Sequence, residues 1–149
     1  MRLTLYTDYS LRMLIYLAIK REGLSTVEEI AEAYNISRNH LTKVAHRLGR
    51  AGFIETIRGR SGGLRLSREP RDIRLIDVVQ ATEEDFRVVE CFDKDHNRCR
   101  ISGPCRLTGV LNEALMAWSG VLAKYTLADI AEPAGQLARR LDIPAKVDS

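Results

Sequence analysis

Long apolar runs are missing from this chain. No stretch approaches the ~18 uninterrupted apolar residues that a membrane-crossing helix needs, so no partnership with a membrane is expected. A secretory leader is missing as well. The start, MRLTLYTDYSLRMLIYLAIK, is broken by Asp8, Arg12 and Lys20 and has no small-residue cleavage site, so it reads as a helix of the mature protein and the expected location is the cytoplasm. Cysteine is scarce: there are three, and an odd number in a compartment that keeps thiols reduced argues against a disulfide framework. No C-x2-C pair of the kind zinc sites use is present. The sequence also lacks a flavin or nucleotide fingerprint and any substrate-pocket constellation, so an enzyme or electron carrier is not expected. What remains, with 45% apolar and 29% charged residues among 149, is enough for one globular domain or a small domain with an oligomerisation element.

Acidic residues are nearly absent from one region. Between Ile36 and Arg68 there are eight basic side chains and one acid, Glu55. Residues 1–70 carry 12 basic and 7 acidic groups, whereas residues 71–149 carry 11 and 13, so the overall charge of +3 hides two halves of opposite sign. On charge alone the basic stretch could be a solvated face. Its best physical use is to release counterions from a polyanion, and the element pattern favours that use.

Leu3–Lys20 has helical spacing, with Leu11, Leu14, Ile15 and Ala18 on one stripe. Stepping that stripe backwards reaches Asp8 and Thr4. A carboxylate there either needs a partner or caps a helix beginning near Tyr9. Gly23 ends this helix, and Ser25 with Glu28 has capping-box spacing for a second helix running to Tyr34, with Val27, Ile30, Ala31 and Tyr34 inward. After a turn at Asn35-Ile36, Ser37 is placed to cap a third helix running to Arg50. Leu41, Val44, Ala45 and Leu48 would face inward, and Arg38, Asn39, His40, Lys43 and Arg47 outward. Two helices joined by a short turn, the second basic on its outer side, form a helix-turn-helix. Phe53–Ile57 and Gly63–Ser67 alternate as strands around the glycine-rich tip RGRSG, which makes a wing. The expected partner is a double-stranded DNA operator. Ser37, Arg38, Asn39, His40 and Lys43 would enter the major groove, Asn39 suiting adenine, Arg38 guanine and Lys43 a phosphate. Arg58 and Arg60 would enter the minor groove.

The expected fold is therefore mainly α with a small β-wing: a winged helix-turn-helix over residues 1–70, then a second part over 71–132. The second part holds a linker helix (Leu75–Ala81), an irregular loop (91–105) and a long helix over Leu107–Tyr125. Residues 133–149 read as a flexible tail. In the long helix Leu107, Val110, Leu111, Ala114, Leu115, Trp118, Val121 and Leu122 follow heptad-like spacing. That is more apolar surface than so small a chain can cover alone, which predicts a homodimer built on this helix.

Cys91, Cys99 and Cys105 are spaced C-x7-C-x5-C on one loop shaped by Gly103-Pro104, and Arg98, Arg100 and Arg106 beside them offset the charge of a thiolate centre. The pattern suits a soft metal or redox site. A cubane cluster needs a fourth ligand, and His96, Asp93, Asp95 and Glu90 are the local candidates; three unligated thiols are the alternative.

The segments RLTLYTDYSLR, SRNHLTKVAHRLGRAGF, ETIRGRSGGLRL, ATEEDFRVVECFD and KYTLADI together resemble the Rrf-type winged-helix repressors over roughly residues 1–132. The resemblance implies a homodimer that crosses its long C-terminal helices and holds one cluster per subunit. In the nitric-oxide-sensing branch it implies a [4Fe–4S] cluster, with [2Fe–2S] as the alternative. Its ligands would be three loop cysteines, matching Cys91, Cys99 and Cys105, and an aspartate from the first helix of the other protomer, matching Asp8 of the partner subunit. The implied signal is nitric oxide, whose attack on iron would release Asp8 and free the operator. A cluster-assembly branch uses a histidine at the position of Thr108, and an iron-responsive branch shares the cysteine spacing but has asparagine at position 8. Asp8 and the SRNH helix start favour the nitric-oxide branch, with an iron- or redox-responsive regulator as the second reading.

Overall fold

The structure is a computed structural model that describes residues 2–144. Helix α1 (Leu5–Ile19) is its central strut. Thr4 caps it, accepting a hydrogen bond from the Thr7 amide, so the helix starts earlier than a cap at Asp8 would allow. Asp8 lies one turn inside the helix and finds its partner in Arg12, the residue four positions on. The buried side of α1 also differs from the apolar stripe: Thr7, Ser10, Met13, Leu14, Tyr16, Leu17 and Ala18 are buried, whereas Leu11 and Ile15 are half-buried. Thr7 and Ser10 enter the core because their hydroxyls are satisfied there. Thr7 pairs with the Thr82 hydroxyl at 2.9 Å, and Ser10 donates to the Tyr6 carbonyl at 2.8 Å.

Helices α2 (Val27–Tyr34) and α3 (Arg38–Arg50) pack on one another and on α1. The capping box of α2 is formed by Thr26 and Glu29, one residue later than the Ser25–Glu28 pairing that spacing suggests. Ser25 is used elsewhere. Its backbone bridges Leu64 with bonds of 3.0 and 2.7 Å, tying the wing to the turn before α2. Asn35 in the left-handed conformation (φ 51°) ends α2 and turns the chain into α3. The inward side of α3 is Leu41, Val44, Ala45 and Leu48, all buried. The wing pairs β1 (Ile54–Ile57) antiparallel with β2 (Gly63–Leu66), Ile54 opposite Leu66 and Ile57 opposite Gly63. Glycine is required at its base: a Cβ on Gly63 would lie 2.9 Å from the Leu24 Cβ and the Ser25 carbonyl, and one on Gly62 would collide with the Ile57 carbonyl.

A 3-10 turn at Pro70–Asp72 leads to α4 (Leu75–Thr82). The chain then crosses an irregular stretch, with one 3-10 turn at Glu90–Phe92, before α5 (Leu107–Lys124) and the short α6 (Leu127–Ile130). The core around α1 takes in Ile73, Val78, Leu127, Ala131 and Ile143, so the C-terminal segment returns to the reading half. The tail expected after Pro133 is thereby corrected. Residues 134–140 form α7 (Ala134–Arg140), and Ala138, Leu141 and Ile143 pack against the core; residues 145–149 lie outside the described residues. Among the described residues no helix is long and apolar enough to cross a membrane. The architecture is mainly α with one two-stranded wing.

Candidate functional site

Helix α3 and the wing tip are both exposed and basic. Ser37, Arg38, Asn39, His40 and Lys43 are all exposed, as are Arg58 and Arg60 at the wing tip. Ser37 stands at the N-cap of α3 without making a side-chain cap bond, which leaves its hydroxyl for an outside partner. The cations of this half fall into two sets. Arg38 is paired with Glu28 at 2.6 Å, Arg65 with Glu55 at 2.9 Å, Lys20 with Glu29 and Arg21 with Glu69. Lys43, Arg47, Arg50, Arg58 and Arg60 make no ion pair among the described residues. Arg2 and Arg68 also make none, so five of the seven unpaired cations of this half lie on α3 and the wing tip. Arg38 is the exception within the expected contacts: it must leave Glu28 to reach a base.

The first turns of α1 hold α3 in place, a contact that sequence spacing did not expose. The Tyr9 ring lies 6.3 Å from that of His40, and the Arg47 guanidinium sits 4.7 Å over the Tyr6 ring. Burial raises the Tyr6 phenol pKa, against the opposing charge of Arg47. Arg12 grips Asp8 with two bonds, Nε to Oδ1 at 3.0 Å and Nη2 to Oδ2 at 2.8 Å, while lying near the rings of Tyr9 and Tyr34. Tyr34 donates to the Arg12 carbonyl at 2.9 Å, and burial pushes its phenol up to about 12, so it remains a donor throughout the neutral range. A signal for these contacts existed in the sequence: Tyr6, Tyr9 and Arg12 recur at helical steps beside Asp8.

The three cysteines are free thiols; Cys91 and Cys105 are half-buried and Cys99 is exposed. Cys91 Sγ lies 3.3 Å from the Thr108 hydroxyl, and the Cys105 amide donates to the Ile101 carbonyl at 3.2 Å. Among the described residues no three of His, Cys, Asp and Glu are gathered tightly enough to hold a metal ion. The donor chemistry nevertheless fits a thiolate-ligated cluster: three unoxidised sulfurs on one loop, with no disulfide consuming any of them. Of the local candidates for a fourth ligand, Asp93, His96 and Glu90 are engaged by other groups. Asp93 bonds both Arg87 and His96, and Glu90 accepts from the Arg98 amide. Although burial opposes it, the hydrogen bonds from His96 and the Asp95 amide, with the charge of Arg87, hold the Asp93 carboxyl below its ordinary range.

Behind the loop, α5 has one side against the protein and one side bare. Leu111, Leu115, Trp118 and Leu122 are half-buried, and Trp118 meets Phe86 with ring centroids 6.2 Å apart. Leu107, Val110 and Val121 share the bare side and are 50–59% exposed, Met116 is 65% exposed on another side, and no residue of the helix is fully buried.

Residues 3–133 match the family model Rrf2, described as iron-dependent transcriptional regulator. The chain belongs to the Rrf2 family. It is 58% identical to the HTH-type transcriptional regulator NsrR of Bacillus subtilis over 133 residues, covering 89% of this chain and 91% of that protein. It is 44% identical to protein aau3 of Rhizobium meliloti, covering 92% and 89%. Among solved structures it is similar to IscR of T. potens, with TM-score 0.72 and 25% identity over 90% of this chain and 88% of that one. It is also similar to CymR, the global cysteine regulator of B. subtilis, with TM-score 0.62 and 27% identity over 88% and 96%. The relatives that carry a functional name are transcriptional regulators and not enzymes, in keeping with the expectation of a regulator.

Proposed function

We propose that this protein is a homodimeric, DNA-binding transcriptional repressor that holds a [4Fe–4S] cluster in each subunit and releases its operator in response to nitric oxide. The observation that carries the reading is the high identity, over most of the chain, to regulators named NsrR. The unpaired cations of α3 and the wing, and the three free thiols of one loop, support it.

Cys91, Cys99 and Cys105 would hold the cluster together with Asp8 of the partner subunit. When bound, the cluster supplies iron able to react with nitric oxide. The protein's own part is to link that loop to the reading helices. Asp8 lies between Tyr6 and Tyr9 of α1, whose rings contact Arg47 and His40 of α3. A pull on Asp8 therefore acts on the helix that reads DNA, a coupling of the typical ~1–3 kcal/mol. Arg12 gives the released carboxylate a ready partner, since it already binds Asp8 with both nitrogens. The bare side of α5 is the surface that a second copy would cover. The family's description as iron-dependent favours a second reading in which iron supply or redox state is the signal for the same cluster.

Anaerobic native mass spectrometry of the wild type and Asp8→Ala, with operator binding before and after nitric oxide, tests the proposal. The expected wild type is a dimer with one [4Fe–4S] per subunit that loses its operator on exposure, while Asp8→Ala binds the operator weakly in the loaded form. A loaded wild type that ignores nitric oxide but responds to iron withdrawal would establish the second reading. Identical spectra and operator affinity with and without the Asp8 carboxylate would remove its role.

A further inference from the structure

Beyond the turn expected to read bases, α3 carries a second basic surface. Lys43, Arg47 and Arg50 recur at steps of four and three residues, which stacks them in one stripe along the helix. With Tyr6 of α1, Thr42 and His46 they line a groove of about 680 Å³ that contains no carboxylate. None of the three cations has an ion-pair partner among the described residues, unlike Arg38 and Arg65 in the same basic stretch.

Tyr6 organises this groove. Its ring lies 4.7 Å from the Arg47 guanidinium, and its hydroxyl donates to the Lys43 and Val44 carbonyls at 3.5 and 3.4 Å. An arginine laid on an aromatic face keeps its planar fork presented outward and has less rotamer freedom to lose on binding. The helix macrodipole accounts for cations in the last turn of α3. It does not account for Lys43 at mid-helix, nor for a tyrosine platform beneath Arg47.

We propose that this groove is a site for backbone phosphates of duplex DNA, separate in task from the base-reading turn at residues 37–40. The inference rests on the DNA-binding reading above and deepens it. An acid-free, outward-facing groove suits a phosphodiester delivered by a polymer, whereas a free small anion needs enclosure. Arg47 is placed to take two phosphate oxygens in a fork, with Lys43 and Arg50 as flanking point charges. Because the platform belongs to α1, two residues before Asp8, any displacement of α1 against α3 withdraws the support under Arg47.

The salt dependence of duplex binding by the full chain tests this. The logarithm of the binding constant falls with the logarithm of salt concentration by about 0.9 per phosphate neutralised. Arg47→Ala is expected to flatten that slope by about one contact and to weaken an operator and a random duplex by the same factor. Arg47→Lys should restore the slope while regaining only part of the affinity. Tyr6→Leu, which keeps the packing and removes the platform, should weaken both duplexes without changing base preference. Thermal melts of each variant establish that it folds, and Arg47→Gln replaces any Arg47→Ala protein that does not. An unchanged slope in Arg47→Ala, or a loss confined to the operator, would overturn the proposal while leaving the DNA-binding reading intact. Saturable binding of inorganic phosphate that disappears in Arg47→Ala would also overturn it, revealing a small-anion site. No salt-dependent binding of any duplex by the wild type would overturn both.

Discussion

Helices α3 and α5 are both amphipathic, yet only one is finished within a single chain. The inward residues of α3, Leu41, Val44, Ala45 and Leu48, are all buried, and its outer side is polar and basic. Helix α5 is longer and more apolar, has no fully buried residue, and leaves Leu107, Val110, Met116 and Val121 largely in solvent. The underside of α3 is closed in a core that later segments help to complete, whereas the helix after the thiol loop leaves apolar side chains in solvent. Leu107, Val110 and Val121 recur on one side of α5, and exposed apolar surface repeated along one helix side marks an interaction site. The proposed cluster ligands and the proposed second copy therefore meet in the same unfinished region.

The contrast can be broken most sharply on the closed side. Leu48 is fully buried beneath the reading helix, so Leu48→Ala should cost about 2–5 kcal/mol in urea unfolding. Met116→Ala, at 65% exposure, should change the unfolding of the isolated protomer little; an equal loss at both positions in dilute protein would erase the distinction. On the open side, Val110→Lys with Val121→Lys should shift a dimer to monomers in sedimentation velocity. Each replaced side chain forfeits roughly 1.5–3 kcal/mol of burial, while far-UV dichroism stays that of the wild type. Dimers that persist through both changes would mean that α5 is not the seam.

The smallest effect concerns the tie between α1 and α2. Burial alone would raise the Glu29 carboxyl, but hydrogen bonds from Lys20 and Thr26 outweigh it and hold its pKa below the ordinary value. A carboxyl lowered in the folded state adds stability above its unfolded pKa and loses that contribution as pH falls through the folded value. Glu29→Gln should therefore destabilise at neutral pH by on the order of 0.5 kcal/mol, since the pair is partly exposed. Thermal melts of the two proteins should converge in acid. A difference that grows toward low pH would reverse the assigned sign.

Much of the reading half was legible because its signals are local. The α3 span, its four buried residues and the glycine-rich wing tip follow from periodicity and turn chemistry between positions 36 and 68. Asp8 was legible only as an oddity in a stripe; the structure gives it Arg12, and the ligand role comes from the family resemblance. Thr7 and Ser10 were not legible as core residues, because their burial depends on Thr82, far away in sequence, and on a backbone carbonyl of the same helix. The C-terminal return was missed for a similar reason. Ile143 and Leu141 sit in a polar stretch with no strong period, and only the surface of the folded reading half gives them something to cover.

By itself, then, the sequence determined the elements whose instructions lie within a few residues: a basic helix with an apolar underside, a wing, a triplet of thiols and a long apolar helix. Tertiary structure decided which of those charges stay unpaired, that rings of α1 support His40 and Arg47 of α3 while α2 holds Arg38, and that the chain end folds back onto the core. The physical reason is range. Helical period and turn chemistry act over one or two turns, whereas an ion pair, a ring platform or a satisfied buried hydroxyl exists only once distant segments have met.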